Sequence, residues 1–253
     1  MRRLTLCLVL LAGCAPSLPE APPITNGFAL VRAMHDRYEG RWYRSLSFAQ
    51  DTYWKTGSDT ARTEVWREWM ALPGRLRIEM EDPMAGIDAI YARDSTFILQ
   101  EGELANAQPQ RNRLLILGFD VYAQAPAETI RQLRAEGIDL GVFRTDVWQR
   151  RPAYVVGTPD RGEVWVDAER LLFVRLVEPA TIGDAVRDVR FENYVPLGEA
   201  WIAPRVEVWS GGEVWSGGEL VFWEVYRDIK TDEALDPVLF NPRRWADGLA
   251  RSR

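Results

Sequence analysis

The spacing of apolar residues changes along the chain, first from a helical period to a strand period. Residues 26–39 form the first helical stretch, because apolar side chains recur there every three or four positions. These side chains are Phe28, Val31, Met34 and Tyr38. Thr25 or Asn26 can cap the start of the helix, and Gly40 stands where a helix ends. The pattern predicts an amphipathic helix with one buried stripe.

Beyond this helix, apolar and polar residues alternate, as in strands with one buried face. Predicted strands cover residues 46–55, 62–72, 75–81, 87–92 and 96–101. Pro73 and Gly74 turn the chain between the second and the third, and residues 93–95 close a hairpin between the last two. The strand 75–81 alternates most cleanly, with Leu76, Ile78 and Met80 against Arg75, Arg77 and Glu79. We therefore expect one buried and one solvated face for this strand.

The role of Arg75 and Arg77 follows from that expectation. Arginines on a solvated face serve solubility and pairing with neighbouring strands. The alternative is a hydrogen bond from one of them to a carbonyl of a helical lid, which would hold a cavity shut.

The middle of the chain returns to a helical pattern. Residues 113–122 and 127–136 predict two helices, separated by Pro126 and ended by Gly137. Strands then resume between residues 142 and 228, for a total of about ten or eleven in meander order. This order predicts a mainly β (α+β) fold, in which a curved antiparallel sheet forms an incomplete barrel with a helical lid.

Some strands are apolar on both faces. In the stretch 213–228, Leu220, Phe222 and Tyr226 alternate with Val221, Trp223 and Val225. Either helices cover the second face and the core is filled, or the sheet and its helices enclose an apolar cavity. A tandem hexapeptide, 207–212 and 213–218, reads as a duplication at a hairpin tip, with a tryptophan-bearing contact loop as the alternative.

The first residues have the features of an export signal. Two arginines precede a short apolar run and the small residues Ala12 and Gly13. The sequence Leu11-Ala12-Gly13-Cys14 resembles the lipobox of bacterial lipoproteins. That resemblance implies cleavage before Cys14 and lipidation of that cysteine, with palmitate-like acyl chains on diacylglycerol and on the new amine. An ordinary signal peptide with a chance cysteine is the alternative.

These features divide the chain into four parts. Residues 1–13 are the predicted signal peptide, 14–25 the lipidated cysteine with a proline-rich tether, 26–245 one domain, and 246–253 a C-terminal tail. We expect a lipid-anchored protein of the bacterial cell envelope that faces the periplasm. The outer membrane is favoured, because the residue after the cysteine is Ala15 and not the aspartate that in some bacteria retains lipoproteins at the inner membrane.

Composition narrows the chemistry of the domain. Both cysteines of the chain, Cys7 and Cys14, lie in the N-terminal segment, so none is left for a disulfide, a metal site or a nucleophile. Of the 31 basic residues, the signal peptide removes Arg2 and Arg3, which leaves 29 against 37 acidic residues and a net charge of −8. That charge repels phosphate backbones and argues against nucleic-acid binding.

Several short motifs together resemble the LolA/LolB-like family of periplasmic lipoprotein carriers and receptors. They are the leading helix, Leu46-Ser47-Phe48, Trp66, the stretch 73–78, Val164-Trp165-Val166-Asp167 with Phe173-Val174-Arg175, and Phe240-Asn241-Pro242. The resemblance implies an incomplete barrel with a helical lid over an apolar cavity, and neither a cofactor nor a reaction. The soluble carrier of that family has no lipid anchor, so the anchor expected for this chain fits a receptor better than a carrier.

We expect an acyl chain of a lipid or lipoprotein as the partner in that cavity. The predicted wall residues are Leu76, Ile78 and Met80, and the predicted lid residues are Leu114, Leu115 and Leu117. The sequence therefore favours a carrier or receptor in lipid or lipoprotein sorting to the outer membrane. A structural or assembly lipoprotein with a filled core, which recruits envelope protein partners, is the main alternative.

No residue pattern points to catalysis or to a metal. The single histidine, His35, lies on the first helix, where a structural or solvated role is the ordinary one. H-E-x-x-H, G-x-S-x-G and phosphate-loop motifs are absent from the sequence. Glu79, Glu81 and Asp82 form a local acidic cluster at a strand end, which is typical of a solvated surface.

Lipidation gives the first testable prediction. Replacing Cys14 with serine removes the only thiol that the acyl chains can use, so the variant should leave the membrane fraction, since no other anchor is predicted. The measurement is fractionation of cells that produce the full chain. A Cys7→Ser variant is the matched control and should stay in the membrane fraction. Retention of the Cys14→Ser protein in membranes would refute lipid anchoring.

Overall fold

The computed structural model describes residues 23–56, 60–80, 87–101, 103–179, 186–211 and 218–244. The predicted signal peptide, Cys14 and the tail 246–253 lie outside these ranges. In the described part of the chain, no helix is both long and apolar enough to cross a bilayer.

Fifteen strands and four helices make up the described domain. The first half contains α1 (Gly27–Tyr38), β1 (Ser45–Thr56), β2 (Thr60–Ala71), β3 (Arg75–Met80), β4 (Ile87–Ala92), β5 (Ser95–Gln100) and β6 (Glu103–Gln108). The helices α2 (Arg113–Leu115), α3 (Val121–Ala123) and α4 (Pro126–Ala135) follow, with a π-helical segment (Ile116–Asp120) between α2 and α3. We call the segment 113–136 the helical lid.

Nine strands complete the chain after the lid. They are β7 (Phe143–Trp148), β8 (Arg151–Thr158), β9 (Gly162–Asp167), β10 (Phe173–Glu178), β11 (Arg187–Glu192), β12 (Val195–Leu197), β13 (Ala200–Ile202), β14 (Arg205–Ser210) and β15 (Glu219–Thr231). Two 3₁₀ turns, Pro237–Phe240 and Pro242–Arg244, follow β15.

Thirteen of these strands form a single antiparallel sheet. Its order is β6-β5-β4-β3-β2-β1-β15-β14-β11-β10-β9-β8-β7, so among the described strands β6 and β7 are the two edge strands, each paired on one side. The pairing of β1 with β15 joins a half built before the lid to a half built after it. The expected fold class, an incomplete antiparallel barrel with a helical lid, is therefore confirmed.

The strand count differs from expectation for local reasons. Strand β6 was not predicted, because Leu104 is the one large apolar residue of Glu103–Gln108 and all side chains of this strand are exposed. The predicted strand 201–209 is two strands in the structure, because Ala203 and Pro204 break it between β13 and β14. The short pair β12–β13 forms a separate two-stranded sheet.

The leading helix agrees with its prediction. The side chain of Asn26 caps α1 by accepting a hydrogen bond of 2.8 Å from the backbone N–H of Ala29. Leu30, Val31, Met34 and Tyr38 form its buried face. This face packs on the lid and the sheet within the main core.

The lid lies directly on the inner face of the sheet. We use this name for the face that carries Leu46, Phe48, Met70, Leu76 and Ile78, all of which belong to the same core cluster as the lid. Gly118 allows the close approach, because a Cβ at this position would lie 2.8 Å from the ring of Phe191 on β11. Asp120 accepts a 2.9 Å hydrogen bond from the backbone N–H of Gly74, which ties the lid to the β2–β3 turn.

In the part of the chain that the structure describes, no helical layer covers most of the opposite, outer face. Instead, arginine side chains lie over tryptophan rings from one strand to the next. Arg175 lies 4.6 Å from the ring centre of Trp148, and Arg190 lies 4.3 Å from that of Trp209. The carboxylate of Asp188 accepts hydrogen bonds from both arginines. A strand can thus carry apolar residues on both faces, because the lid covers the inner face and arginine stems with indole rings cover the outer face.

The prediction of a one-sided strand at 75–81 is wrong. Arg77 is fully buried and Glu79 is 4 % exposed, although both lie on the outer face of β3. The C-terminal 3₁₀ turn covers this face, and Leu239 and Phe240 pack there against Ala71 and Trp69. Sequence periodicity could not reveal a cover that arrives from more than 150 residues away.

Arg77 consequently has a structural role in place of the expected solvated one. Its guanidinium forms an ion pair with Glu79 at 2.7 Å and donates a 3.2 Å hydrogen bond to the carbonyl of Leu239. Burial lowers the pKa of Arg77 against the opposing effect of Glu79. The carbonyl that accepts from this arginine belongs to the C-terminal turn, and not to the lid as the alternative reading had it.

This buried pair gives a stability prediction. Arg77→Met should reduce the free energy of unfolding by about 3–5 kcal/mol, because it leaves a buried carboxylate without its partner. Arg75→Met is the matched control on the exposed end of the same strand and should cost no more than about 1 kcal/mol. Urea denaturation of the two variants measures the difference. Equal stabilities would mean that the pair does not hold the C-terminal turn in place.

Candidate functional site

The inner face of the sheet has a filled part and an open part. Under the helices its side chains are closely packed, as Leu46, Phe48 and Leu76 show with exposures of 0–4 %. Farther along the same strands, inner-face side chains keep part of their surface accessible. We define this open part by four half-buried residues, Trp54, Trp66, Met80 and Phe222.

The six predicted cavity residues divide between the two parts. Leu76, Ile78, Leu115 and Leu117 are buried in the main core, where each packs against other protein side chains. Met80 and Leu114 are half-buried at the border of that core. The structure thus brings all six to the inner face and its lid. Of the six, Met80 and Leu114 are partly accessible to solvent, and the other four are at most 9 % exposed.

An aromatic cluster lines the open part. Trp54 on β1 lies 5.4 Å from Trp66 on β2 and 5.3 Å from Phe222 on β15, measured between ring centres. Cross-strand pairing sets this arrangement, because Trp54 stands opposite Phe222 in the β1–β15 register. Half-buried aromatic rings on a concave surface offer a large apolar contact area with little loss of side-chain entropy.

Two carboxyl groups lie among these apolar side chains. Glu68 on β2 is 6 % exposed and shares the inner face with Trp66 and Met70. Glu224 on β15 is half-buried and shares it with Phe222 and Tyr226. Sequence reasoning singled out the acidic cluster at 79–82 and missed this pair. The signal was present, because each glutamate occupies an inward position within an alternating strand.

Burial changes the acidity of both groups. It raises the pKa of Glu224 to about 7, against the opposing effects of hydrogen bonds from Tyr226 and Gln50 and of the positive charge of Arg187. Burial, together with the negative charge of Glu224, raises the pKa of Glu68 well above its ordinary value. The hydroxyl of Tyr226 donates a 2.6 Å hydrogen bond to Glu224.

Gln50 completes the polar part of the inner face. Its side chain is fully buried on β1, between Trp66 and Tyr226 in the cross-strand register. The amide nitrogen donates a 2.9 Å hydrogen bond to the hydroxyl of Thr52, whereas the amide oxygen Oε1 has no hydrogen-bond donor. A buried acceptor without a donor costs free energy, which a ligand with a suitable donor would recover.

A cleft of about 520 Å³ lies beside the lid. Strands from both halves of the sheet line it together with the start of the lid, through Tyr91, Thr96, Ile98, Gln108, Arg113, Leu114, Glu136, Leu176, Glu178 and Arg187. Arg187 lines this cleft, and its positive charge also acts to lower the pKa of Glu224. The residues that line the cleft differ from the four that define the open part of the inner face.

Ion pairs fasten the lid along the rim of this cleft. Arg113 at the start of α2 pairs with Glu136 at 3.1 Å and with Glu178 on β10 at 3.0 Å. Glu178 also pairs with Arg187 on β11 at 2.6 Å. Helix and sheet are thus linked by charges that are partly exposed to solvent, so this side of the lid is held less firmly than its core side.

A second groove, of about 780 Å³, lies on the other side of α1. It runs along the helix face opposite the core, past Arg32, Arg37 and Arg41, and reaches Trp201 on β13. His35 is also on α1, where its ring nitrogen Nδ1 lies 3.1 Å from the carboxylate of Asp36. In the described ranges, no three side chains of histidine, cysteine, aspartate or glutamate come together as metal ligands.

Comparisons with known proteins relate this architecture to solved structures. No protein-family model matches the sequence, and no curated protein matches it. A DUF1329 family protein from Desulfovibrio piger superposes with a TM-score of 0.57 at 13 % identity, over 85 % of this chain and 95 % of that one.

Two further structures have names that refer to LolA or to lipoprotein sorting. A LolA superfamily protein from Nitrosomonas europaea gives a TM-score of 0.54 at 11 % identity, over 83 % of this chain and 97 % of that one. A domain described as a putative outer membrane lipoprotein-sorting protein, from Vibrio parahaemolyticus, gives a TM-score of 0.53 at 12 % identity, over 86 % of this chain and 97 % of that one. At these identities the likeness establishes a LolA-like fold, and it agrees with the resemblance found in the sequence.

The carboxyl pair gives a prediction about pH and stability. The folded-state pKa of Glu224, about 7, lies above its ordinary value of 4.5, so the folded protein holds this proton more tightly than the unfolded chain. Stability from this group is complete below pH 4.5 and is lost as the pH rises to about 7. Glu224→Gln avoids the ionisation and keeps an acceptor for Tyr226. Its Tm at pH 8 should be about 2–4 °C above that of the parent protein.

At about pH 3 the two proteins should melt together, because the carboxyl is then protonated in both the folded and the unfolded states. Asp51→Asn, on the outer face of β1, makes the same change in net charge and serves as the control. Calorimetry or circular dichroism melting at the two pH values measures the effect. A Tm difference that does not change with pH would contradict a buried, protonated Glu224.

Proposed function

We propose that this protein binds the acyl chain of a lipid or of a lipidated protein against the open part of its inner face. The single observation that carries this proposal is the half-buried aromatic and apolar surface of Trp54, Trp66, Met80 and Phe222, beside a core that is otherwise filled. A LolA-like fold with this surface supports binding, and catalysis has no part in the proposal.

The expected energetics suit such a ligand. Burial of an acyl chain yields about 0.8 kcal/mol for each methylene group, or roughly 10 kcal/mol for a long chain before ordering costs. Packing around Leu76 and Ile78 sets the inner limit of the space, so the chain lies along Met80, Ile98 and Leu114 and does not reach the middle of the core. The aromatic cluster then covers the rest of the chain.

We place the protein in the bacterial cell envelope, anchored by lipid on Cys14 and facing the periplasm, with the outer membrane favoured. The lipobox-like sequence supports the anchor, and the lipoprotein-sorting structures with the same fold support this compartment. An anchored protein receives or presents its ligand at one membrane and does not shuttle between two. A receptor-like role in lipid or lipoprotein sorting follows from this combination.

The alternative is an assembly lipoprotein that recruits envelope proteins. The close packing of four of the six predicted cavity residues is the observation in its favour. Native mass spectrometry of the gently purified domain separates the two: a co-purified lipid supports the proposal, whereas a stoichiometric protein partner without lipid supports assembly.

A charged residue in the open part should abolish binding. Met80→Glu puts a carboxylate against the acyl chain, so we expect the affinity for an uncharged fluorescent fatty-alcohol probe to fall by at least about tenfold. Val65→Glu, on the outward face of β2 and 38 % exposed, is the matched control and should bind like the parent protein. Fluorescence titration measures all three proteins, and their melting curves establish that each is folded.

If Met80→Glu binds the probe as well as Val65→Glu does, the open part of the inner face is not the site. If the parent protein binds no probe at all, the lipid-binding proposal fails and assembly remains.

A further inference from the structure

The polar groups of the inner face serve no purpose in holding an acyl chain. Glu68, Glu224 and the Oε1 atom of Gln50 are hydrogen-bond acceptors, or become so on ionisation, and they lie on neighbouring strands of one face. An apolar wall would hold a chain better, since buried carboxyl groups are costly unless they are paired. Their presence suggests that this face also recognises a headgroup.

The carboxyl pair lacks a positive partner of its own. Within the described ranges, no arginine or lysine forms an ion pair with Glu68 or Glu224. Arg62 pairs with Glu64, and Arg187, whose positive charge acts on Glu224 from a distance, pairs with Glu178 at 2.6 Å. A positively charged ligand group would therefore supply the direct ion pair that these arginines do not form with the carboxyl pair.

Gln50, whose side chain also hydrogen-bonds Glu224, is a second observation that points to a donor ligand. Its Oε1 atom is enclosed, without a hydrogen-bond donor, on the strand that separates Glu68 from Glu224. A protonated primary amine carries one positive charge and three N–H donors. The three donors match the three acceptor groups here, which are Glu68, Glu224 and the Oε1 atom of Gln50. An anionic or a purely hydroxylic headgroup provides no such match.

From this arrangement we propose that the site selects amphiphiles whose headgroup carries a protonated amine, bound by Glu68 and Glu224 with Gln50 as the third acceptor. This inference rests on the proposed binding of acyl chains. The amine lies at the border of the filled core, and the alkyl chain runs outward along Trp66, Met80 and Phe222.

Three probes of equal chain length separate headgroup from chain. Decylamine, decanol and decanoate, each below its micelle concentration at pH 7, compete with an uncharged fluorescent fatty-alcohol probe for the full domain without its anchor. We expect decylamine to bind about tenfold more tightly than decanol, because charge-assisted hydrogen bonds add to the same chain contacts. Decanoate should bind more weakly than decanol.

Matched double variants test the residues. Glu68→Gln combined with Glu224→Gln should bind decylamine and decanol within about twofold of each other, since the chain contacts remain and the charge is gone. Asp51→Asn combined with Glu207→Gln makes the same change in net charge on the outer face and should keep the preference of the parent protein. Melting curves establish that both double variants are folded.

The outcomes distinguish the two proposals. Equal affinities of the parent protein for decylamine and decanol would overturn the amine inference and leave acyl-chain binding intact. A preference for decylamine that survives in the inner-face double variant would also overturn it, because the amine would then bind elsewhere. Failure of all three probes to compete would mean that the acyl-chain proposal itself is wrong.

Discussion

A single sheet of thirteen strands has two large faces, and the described residues provide a short helical segment and one leading helix to cover them. Apolar side chains on an uncovered face cost free energy in water, so every part of the sheet needs some kind of cover. The solutions differ from place to place. Helices cover one part of the inner face, the C-terminal turn covers the outer face of β3, and arginine stems cover indole rings on the remainder of the outer face.

The candidate site is the consequence of this shortage of helices. Where the lid ends, the inner face stays partly accessible, and aromatic side chains occupy the positions that aliphatic core residues hold under the helices. The lid is fixed by close packing on one side, as at Gly118 and Phe191, and by partly exposed ion pairs on the other. Space for a ligand therefore lies on the side where the lid is held by charges.

Buried polar groups follow the same logic of cover. Arg77 and Glu79 compensate each other beneath the C-terminal turn, so their burial stabilises one arrangement of that turn. Glu68 and Glu224 are buried on the inner face without such a partner, and their raised pKa values reflect this difference. Buried glutamates of the same sheet thus differ in role. Glu79 stabilises the fold through its ion pair with Arg77, whereas Glu68 and Glu224 form no such ion pair with an arginine among the residues described.

The sequence by itself determined the local elements and their order. The cap at Asn26, the hairpin 87–101 and the alternation on β1 and β2 are set by neighbours within a few residues, and the short motifs pointed correctly to a LolA-like fold. Only the tertiary structure decided which faces are covered. Arg77 became buried through a turn 160 residues later, and Glu68 met Glu224 through the pairing of β1 with both β2 and β15. Periodicity records which side chains share a face, whereas what lies against that face depends on contacts between distant segments.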